Sequence, residues 1–328
     1  MGRYVLRRLV LTAATVVAVS FLAFLAFSPL DPTGPMVLDT TPHGHAARQF
    51  VLAHYHLKDD PVSRWWHWAT GVLHHGFGNT VSTDVAAGFP IRLRSEGQPI
   101  GPTLWHSMGI TAALVGGALL LVLIGSSLLG TSSARRQRFR MDVSWRFLAY
   151  LGAAVPTFLI GDLLQRSLVG AASQTDVWLE NGPPQGGAVD WVRHLTVPAV
   201  ALALGLIGVY ARFLRSSVIV ELGQPYVVVA RAKGLSERRV VHRHALRAAL
   251  APLVSLLSLE MGAVLGASLA ADGVFHSGGL ASTFLAALGD ADPFELTAIV
   301  TVAAVLVCLF SFAGEALAGA LDPRIGRA

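Results

Sequence analysis

Three carboxylates inside apolar runs, a histidine-rich segment and one arginine-rich stretch hold most of the chemistry available to this 328-residue chain. The carboxylates are Asp162, Glu260 and Glu315. An ionised carboxylate is costly in hydrocarbon, so such groups face a polar interior, a water-filled path or a partner. Glu260, in the middle of its run, reads either as a path residue able to meet a solute amine or as a hydrogen-bonded strut. Asp162 is the second candidate path residue, although Arg166 lies four residues on and an i,i+4 ion pair is the plainer reading. Glu315, near the end of its run, reads as a group that snorkels or pairs with a basic loop.

Seven of the twelve histidines fall in one segment: His43, His45, His54, His56, His67, His74 and His75. Two His-x-His pairs and a His-His could ligate nickel or zinc, but no carboxylate or cysteine pattern fixes a geometry. They read as surface histidines, and no metal site is expected. Trp65, Trp66, Trp68 and Trp105 read as an interfacial aromatic belt. Serines, histidines and aspartates are scattered, with no nucleophile-elbow motif, so no catalytic residue is expected. Lys58 precedes Asp59 and Lys233 precedes Gly234, so neither of the two lysines completes a P-loop, and this chain has no nucleotide motor of its own. Cys308 is alone and reads as a small buried hydrophobe.

The arginine-rich stretch runs from Tyr226 to Pro252, YVVVARAKGLSERRVVHRHALRAALAP. Gly234 separates two helix-prone pieces, and Ser236 stands before Glu237 and Arg238 as an N-cap for the second. Val227–Ala230, Leu235, Val240, Val241 and Leu246 form an apolar side against the arginines. A basic amphipathic segment of this kind either lies on an anionic membrane surface or docks a partner.

The elements that must position these groups are membrane spans. The chain is 53% hydrophobic and 14% charged, with a mean hydropathy of +0.56. Soluble domains carry roughly 25% charged residues. Six spans read out: Leu9–Leu30, Met108–Gly130, Phe147–Val169, Leu195–Ala211, Leu250–Ala271 and Phe294–Ala320. The fold class is therefore all-α and polytopic. The first span follows Arg3, Arg7 and Arg8 and reads as an uncleaved helix rather than a signal peptide. Pro29, Pro32, Pro198 and Pro252 are expected at helix boundaries, and Pro156 as a kink inside the third span. With the N-terminus inside, 18 of the 25 Lys and Arg residues fall on the cytoplasmic side and 13 of the 20 acidic residues outside. Both termini are thus expected in the cytoplasm. The net charge of +5 sits in short loop clusters without interleaved aromatics, which argues against nucleic acid as a partner.

The organisation expected is a cytoplasmic start and first helix (1–30), an external segment (31–102) and a five-helix core (103–328) with a basic cytoplasmic loop at 212–249. Within that loop, ARAKGLSERRVVHRHALRAALAP resembles the EAA-type loop of ABC importer permeases, in the version found in B-type subunits of dipeptide and oligopeptide (peptide/nickel) importers. Ala230, Arg231, Ala232, Gly234 and Leu235 match its start and glycine; Arg243, His244, Ala245, Leu246 and Pro252 match its exit. Arg3–Val10 is similar to the family's start, Leu57–Val81 to its first external segment, and Ala320–Ile325 to its ending. The chain departs from the family at Val274–Leu280, VFHSGGL, which lacks a proline, at Gly76-Phe77-Gly78, and at Val228, where the strict loop pattern has an acidic residue.

The resemblance implies an inner-membrane permease of the type I importer fold. Its coupling residues would be Ala230, Arg231, Ala232, Gly234, Leu235, Ser236, Arg238 and Val241, pushing spans four and five as a rigid body. It implies a second homologous permease, one or two ATPase subunits that use ATP and magnesium, an external substrate-binding protein and a lipid bilayer as partners. No cofactor would be bound by this chain. The implied solute is a short peptide; nickel or another small solute of the same family is the alternative. An ATP-independent scaffold or receptor, its basic loop on lipid headgroups, is the reading from another class.

Overall fold

The computed structural model describes residues 2–30, 49, 52–53, 57–79, 83–84, 92–93, 99–135, 155–172 and 183–321. His43, His45, His54 and His56, residues 136–154 with the start of the third span, and the tail from 322 lie outside these. Hydrocarbon offers no hydrogen bonds to the backbone, so a chain this apolar must satisfy its amides internally, and helices do so within one segment. Four helices are long and apolar enough to cross a membrane: Leu6–Phe27, Ile100–Ala134, Ala188–Leu222 and Pro293–Leu321. The pair Glu237–Leu259 and Met261–Phe275, bent by 67°, brings the number to five when taken as one broken span. The described part of the remaining expected span is the helix Thr157–Ala172.

The described elements are α1 (Gly2–Phe27), α2 (Pro61–His75), β1 (Thr83–Asp84), β2 (Arg92–Leu93), α3 (Ile100–Arg135), α4 (Thr157–Ala172), α5 (Ala188–Leu222), α6 (Pro225–Ala232), α7 (Glu237–Arg239), a π-helical turn (Val240–Ala245), α8 (Leu246–Leu259), α9 (Met261–Phe275), α10 (Leu280–Gly289) and α11 (Pro293–Leu321). β1 and β2 pair antiparallel, Thr83 opposite Leu93. The chain divides into one unit of Met1–Ile110 and Gly278–Leu306 and another of Thr111–Ser277 and Val307–Ala328.

In the first unit the helix α2 is fastened to α1 by aromatic rings. Asp60 caps α2 by accepting from the Val62 amide at 3.1 Å, with Pro61 at the first helical position. Trp65 meets Phe21 edge-on at 5.0 Å, and its indole N–H donates to Ser20 Oγ at 3.3 Å. Arg64, 5% exposed, lies between the rings of Phe24 and Phe294 at 5.5 and 5.8 Å. Desolvation holds its pKa below the usual range, partly offset by Asp59. Each such cation–π contact contributes about 0.5–2 kcal/mol. Of the tryptophans read as a belt, Trp66 and Trp105 are exposed, whereas Trp65 and Trp68 turn partly into this packing.

The second unit packs α4, α8 and α9 around α5. Leu114 and Ala118 of α3 meet Ala199 and Leu202 of α5, with Ala267 of α9 against the same cluster. At 35 residues α5 is about 52 Å long, well beyond the ~30 Å of hydrocarbon. It therefore does not stop at Ala211 but runs on to Leu222.

Two expectations about the helices are corrected. Pro198 and Pro252 are inside α5 and α8, not at boundaries. A proline removes one backbone hydrogen bond, and long helices held by neighbours tolerate that loss in an apolar surround. Pro156 directly precedes α4, its carbonyl accepting from Leu159 and Ile160; the upstream part of the span that it is expected to kink lies outside the described residues. The fifth span is not continuous: Glu260, at φ −90° and ψ 10°, separates α8 from α9.

The break is held from other helices. Ser311 of α11 donates to the Ser258 carbonyl at 2.9 Å, supplying a donor to an acceptor beside the break. Ser258 itself donates to Val254 O at 2.8 Å. A Cβ at Gly314 would fall 2.1 Å from Ser258 Oγ and 3.2 Å from its Cβ, so only glycine lets α11 approach this closely. Gly314→Val should therefore destabilise the protein by about 1–3 kcal/mol, read as a lowered thermal unfolding midpoint in detergent. Gly319→Ala, on the same helix with open space around it, should leave the midpoint unchanged.

Candidate functional site

The basic stretch folds as a turn between two helices, on an apolar base. Pro225 stands at the first position of α6, after Gln224 in an extended conformation. At the other end Gly234 takes φ +77°, the left-handed region that glycine enters without steric cost. The Leu235 amide donates to Ala230 O at 3.4 Å and the Gly234 amide to Arg231 O at 2.9 Å. These two bonds form a Schellman motif, which satisfies carbonyls that the helix end leaves free. Leu235 folds back onto Val227, Ala230 and Val240, with Leu222 completing the cluster.

Ser236 occupies the N-cap position with extended backbone, but its side chain makes no capping bond. Its carbonyl accepts from Arg239 at 2.8 Å and Val240 at 3.0 Å instead. Arg231 reaches across the turn to Glu237 with Nε at 3.1 Å and Nη2 at 2.8 Å. That bond pushes the guanidinium pKa up. Both side chains are about half exposed, so this fork contributes no more than ~1 kcal/mol and mainly fixes the turn's shape. From Glu237 the chain is helical without interruption through the π turn to Leu259.

The eight residues read as coupling residues separate into two sets. Ala230 and Val241 are buried in the base and Leu235 is half-buried. Arg231, Ala232, Gly234, Ser236 and Arg238 are exposed. The same surface includes Tyr226, Val228 and Val229, which are not among the coupling residues expected from the sequence; the last two leave the apolar side on which Val227–Ala230 are expected together. Val228 and Val229 are 58% and 53% exposed, although they are apolar. Four consecutive apolar residues on one short helix cannot all face its base, and that is the signal that could have found them. Tyr226 donates to Glu221 Oε2 at 2.6 Å; partial burial, then this acceptor, raise its phenol pKa.

The two carboxylates read as path candidates differ in surroundings. Asp162 is paired within α4 to Arg166 Nε at 2.9 Å. Glu260 accepts a hydrogen bond from Tyr210 of α5 at 2.5 Å, and Tyr210 is 1% exposed. Glu260 itself is exposed and has no ion-pair partner among the described residues. The described residues hold no group of three His, Cys, Asp or Glu side chains able to bind a metal.

A family model described as "Binding-protein-dependent transport system inner membrane component" matches residues 126–327. The chain is 26% identical to the oligopeptide transport system permease protein AppB of Bacillus subtilis (strain 168) over 331 residues, covering 99% of each. It is 26% identical to the dipeptide transport system permease protein DppB of the same organism over 334 residues, 99% of this chain and 98% of that one. It is 31% identical to the glutathione transport system permease protein GsiC of Salmonella typhi over 333 residues, again 99% of each.

Because the left-handed turn closes the motif, Gly234→Val should loosen it by about 1–2 kcal/mol, whereas Gly234→Asn should stay near wild type. Amide hydrogen exchange over 224–240 is the measurement. Faster exchange in the valine variant alone is expected.

Proposed function

This chain belongs to the family of binding-protein-dependent transport system inner membrane components, and from that membership we infer that it is the membrane-spanning permease subunit of an ATP-driven importer of short peptides. The solute class is supported by relatives named for oligopeptides, dipeptides and glutathione along nearly their whole length. With a homologous permease it forms the translocation path; one or two ATPase subunits hydrolyse ATP with magnesium, and an external binding protein delivers the solute. The bias of Lys and Arg supports an orientation with both termini and the 212–249 loop in the cytoplasm.

The observation that carries this reading is the surface at α6 and α7. Exposed valines beside exposed arginines, on a base braced by a Schellman turn and an Arg–Glu fork, are what a docking contact needs. Apolar area contributes binding energy and the arginines contribute steering. A charged solute meets a barrier of several kcal/mol in hydrocarbon, so the gate must be moved by an outside source. A push at α6 and α7 is transmitted by helix on both sides: backward into α5, which reaches Leu222, and forward through the π turn into α8. These two helices pack on each other, which makes them a rigid body for the push to tilt.

Replacing Val228 and Val229 together by Lys places two positive charges in the contact, opposite in sign to the acidic residue of the strict loop pattern, without touching the base. Co-purification of the ATPase should fall at least about tenfold, with loss of ATP-dependent uptake. Val189→Glu, an exposed valine of α5 far from this turn in sequence, should leave association intact. Full ATPase association in the double variant would overturn the assignment of this surface.

A further inference from the structure

Glu260 poses a problem that the coupling surface does not answer. It is a carboxylate within a span, exposed on this chain, with a single described polar partner that is neutral. Such a group does not face lipid. It also stands where α8 and α9 part at 67°, and irregular backbone at membrane depth is tolerated where it lines a cavity or is buried in protein. Its surroundings are open: Leu259 is 81% exposed, and the small residues Gly262, Ala263 and Gly266 are exposed beside it.

Tyr210 gives the carboxylate a direction. Its buried hydroxyl donates to Oε2 at 2.5 Å, which fixes the group and leaves Oε1 available. Buried itself, the phenol aims the exposed carboxylate, an acceptor that carries negative charge. It suits a compact cation with several N–H donors. Asp162 has no such vacancy, because Arg166 meets its charge within its own helix.

We propose that Glu260, oriented by Tyr210 at the break between α8 and α9, binds a primary ammonium group of the translocated solute, the free amino terminus if that solute is a peptide. Glu260 is the binding residue and Tyr210 the positioning residue. The proposal rests on the chain being an importer permease.

The test uses the assembled transporter in liposomes, with Cys308→Ala removing the native thiol and Ala263→Cys placing a reporter three residues from the carboxylate. A water-soluble thiosulfonate should label Cys at 263, and a peptide with a free amino terminus should slow labelling more than its N-acetylated form. Glu260→Gln should abolish that difference and lower peptide uptake about tenfold, the loss expected for one charge-assisted hydrogen bond. Tyr210→Phe keeps the carboxylate and the ring, and it should weaken protection about threefold with maximal uptake unchanged, an effect that only a positioning role produces. If Glu260→Gln does not assemble, this second variant decides. Protection indifferent to the amino terminus, or no labelling from water, overturns the site. If the wild-type complex takes up no peptide, the peptide reading falls instead, and protection by ethylamine alone then judges the ammonium site.

Discussion

Hydrocarbon supplies no hydrogen bonds, and the described structure answers that constraint at each departure from regular helix. Serine and threonine hydroxyls along the spans turn back to carbonyls of the preceding turn, as Ser127, Thr131, Ser255 and Ser258 do. Where α8 and α9 separate, donors come from elsewhere in the unit: Ser311 to the Ser258 carbonyl, Tyr210 to the carboxylate. The approach needed for the first bond is set by Gly314. Removing the regular backbone pattern at one residue thus recruits a hydroxyl, a phenol and a glycine on two other helices.

The same break gives the fifth span two mechanical halves. The half joined to the basic turn is continuous with it, helix from Glu237 to Leu259. The turn is stiff for local reasons: Pro225 and Gly234 define its helix ends, and Arg231 with Glu237 spans it. The π turn at Val240–Ala245 keeps Val240, Val241 and Ala245 buried, and leaves His242 and Arg243 outside.

Outside the spans, the first unit handles charge differently. Arg64 is buried between Phe24 and Phe294, with Ser28 Oγ at 3.4 Å from one guanidinium nitrogen. Guanidinium is weakly hydrated and stacks on aromatic faces, which makes arginine suited to such a position where lysine is not. Asp292 anchors the start of α11 in the same unit by accepting from Phe294 and Glu295 at 2.9 and 3.1 Å. Charged residues near the span ends are thus spent on fixing where helices begin and how they meet.

Much of this was legible in the residues because hydropathy and length are local properties. The spans beginning near Leu9, Met108, Leu195 and Phe294 could be read from apolar runs alone, and the basic turn from its glycine and its arginines. Helix ends were less legible: α5 outran its apolar core by the stretch 212–222, since its arginines, serines and glutamate end the apolar run without ending the helix. Prolines misled for a related reason, because their cost depends on the neighbours that hold Pro198 and Pro252 in place. The sequence by itself determined that the chain is apolar enough to span a membrane and where its basic, glycine-broken turn lies. Only the tertiary structure decided that the fifth span breaks at Glu260, and that Ala230 faces inward while Val228 faces out. Those outcomes depend on contacts such as Tyr210 with Glu260 and Ser311 with Ser258, made across 50 and 53 residues of chain, which no local pattern encodes.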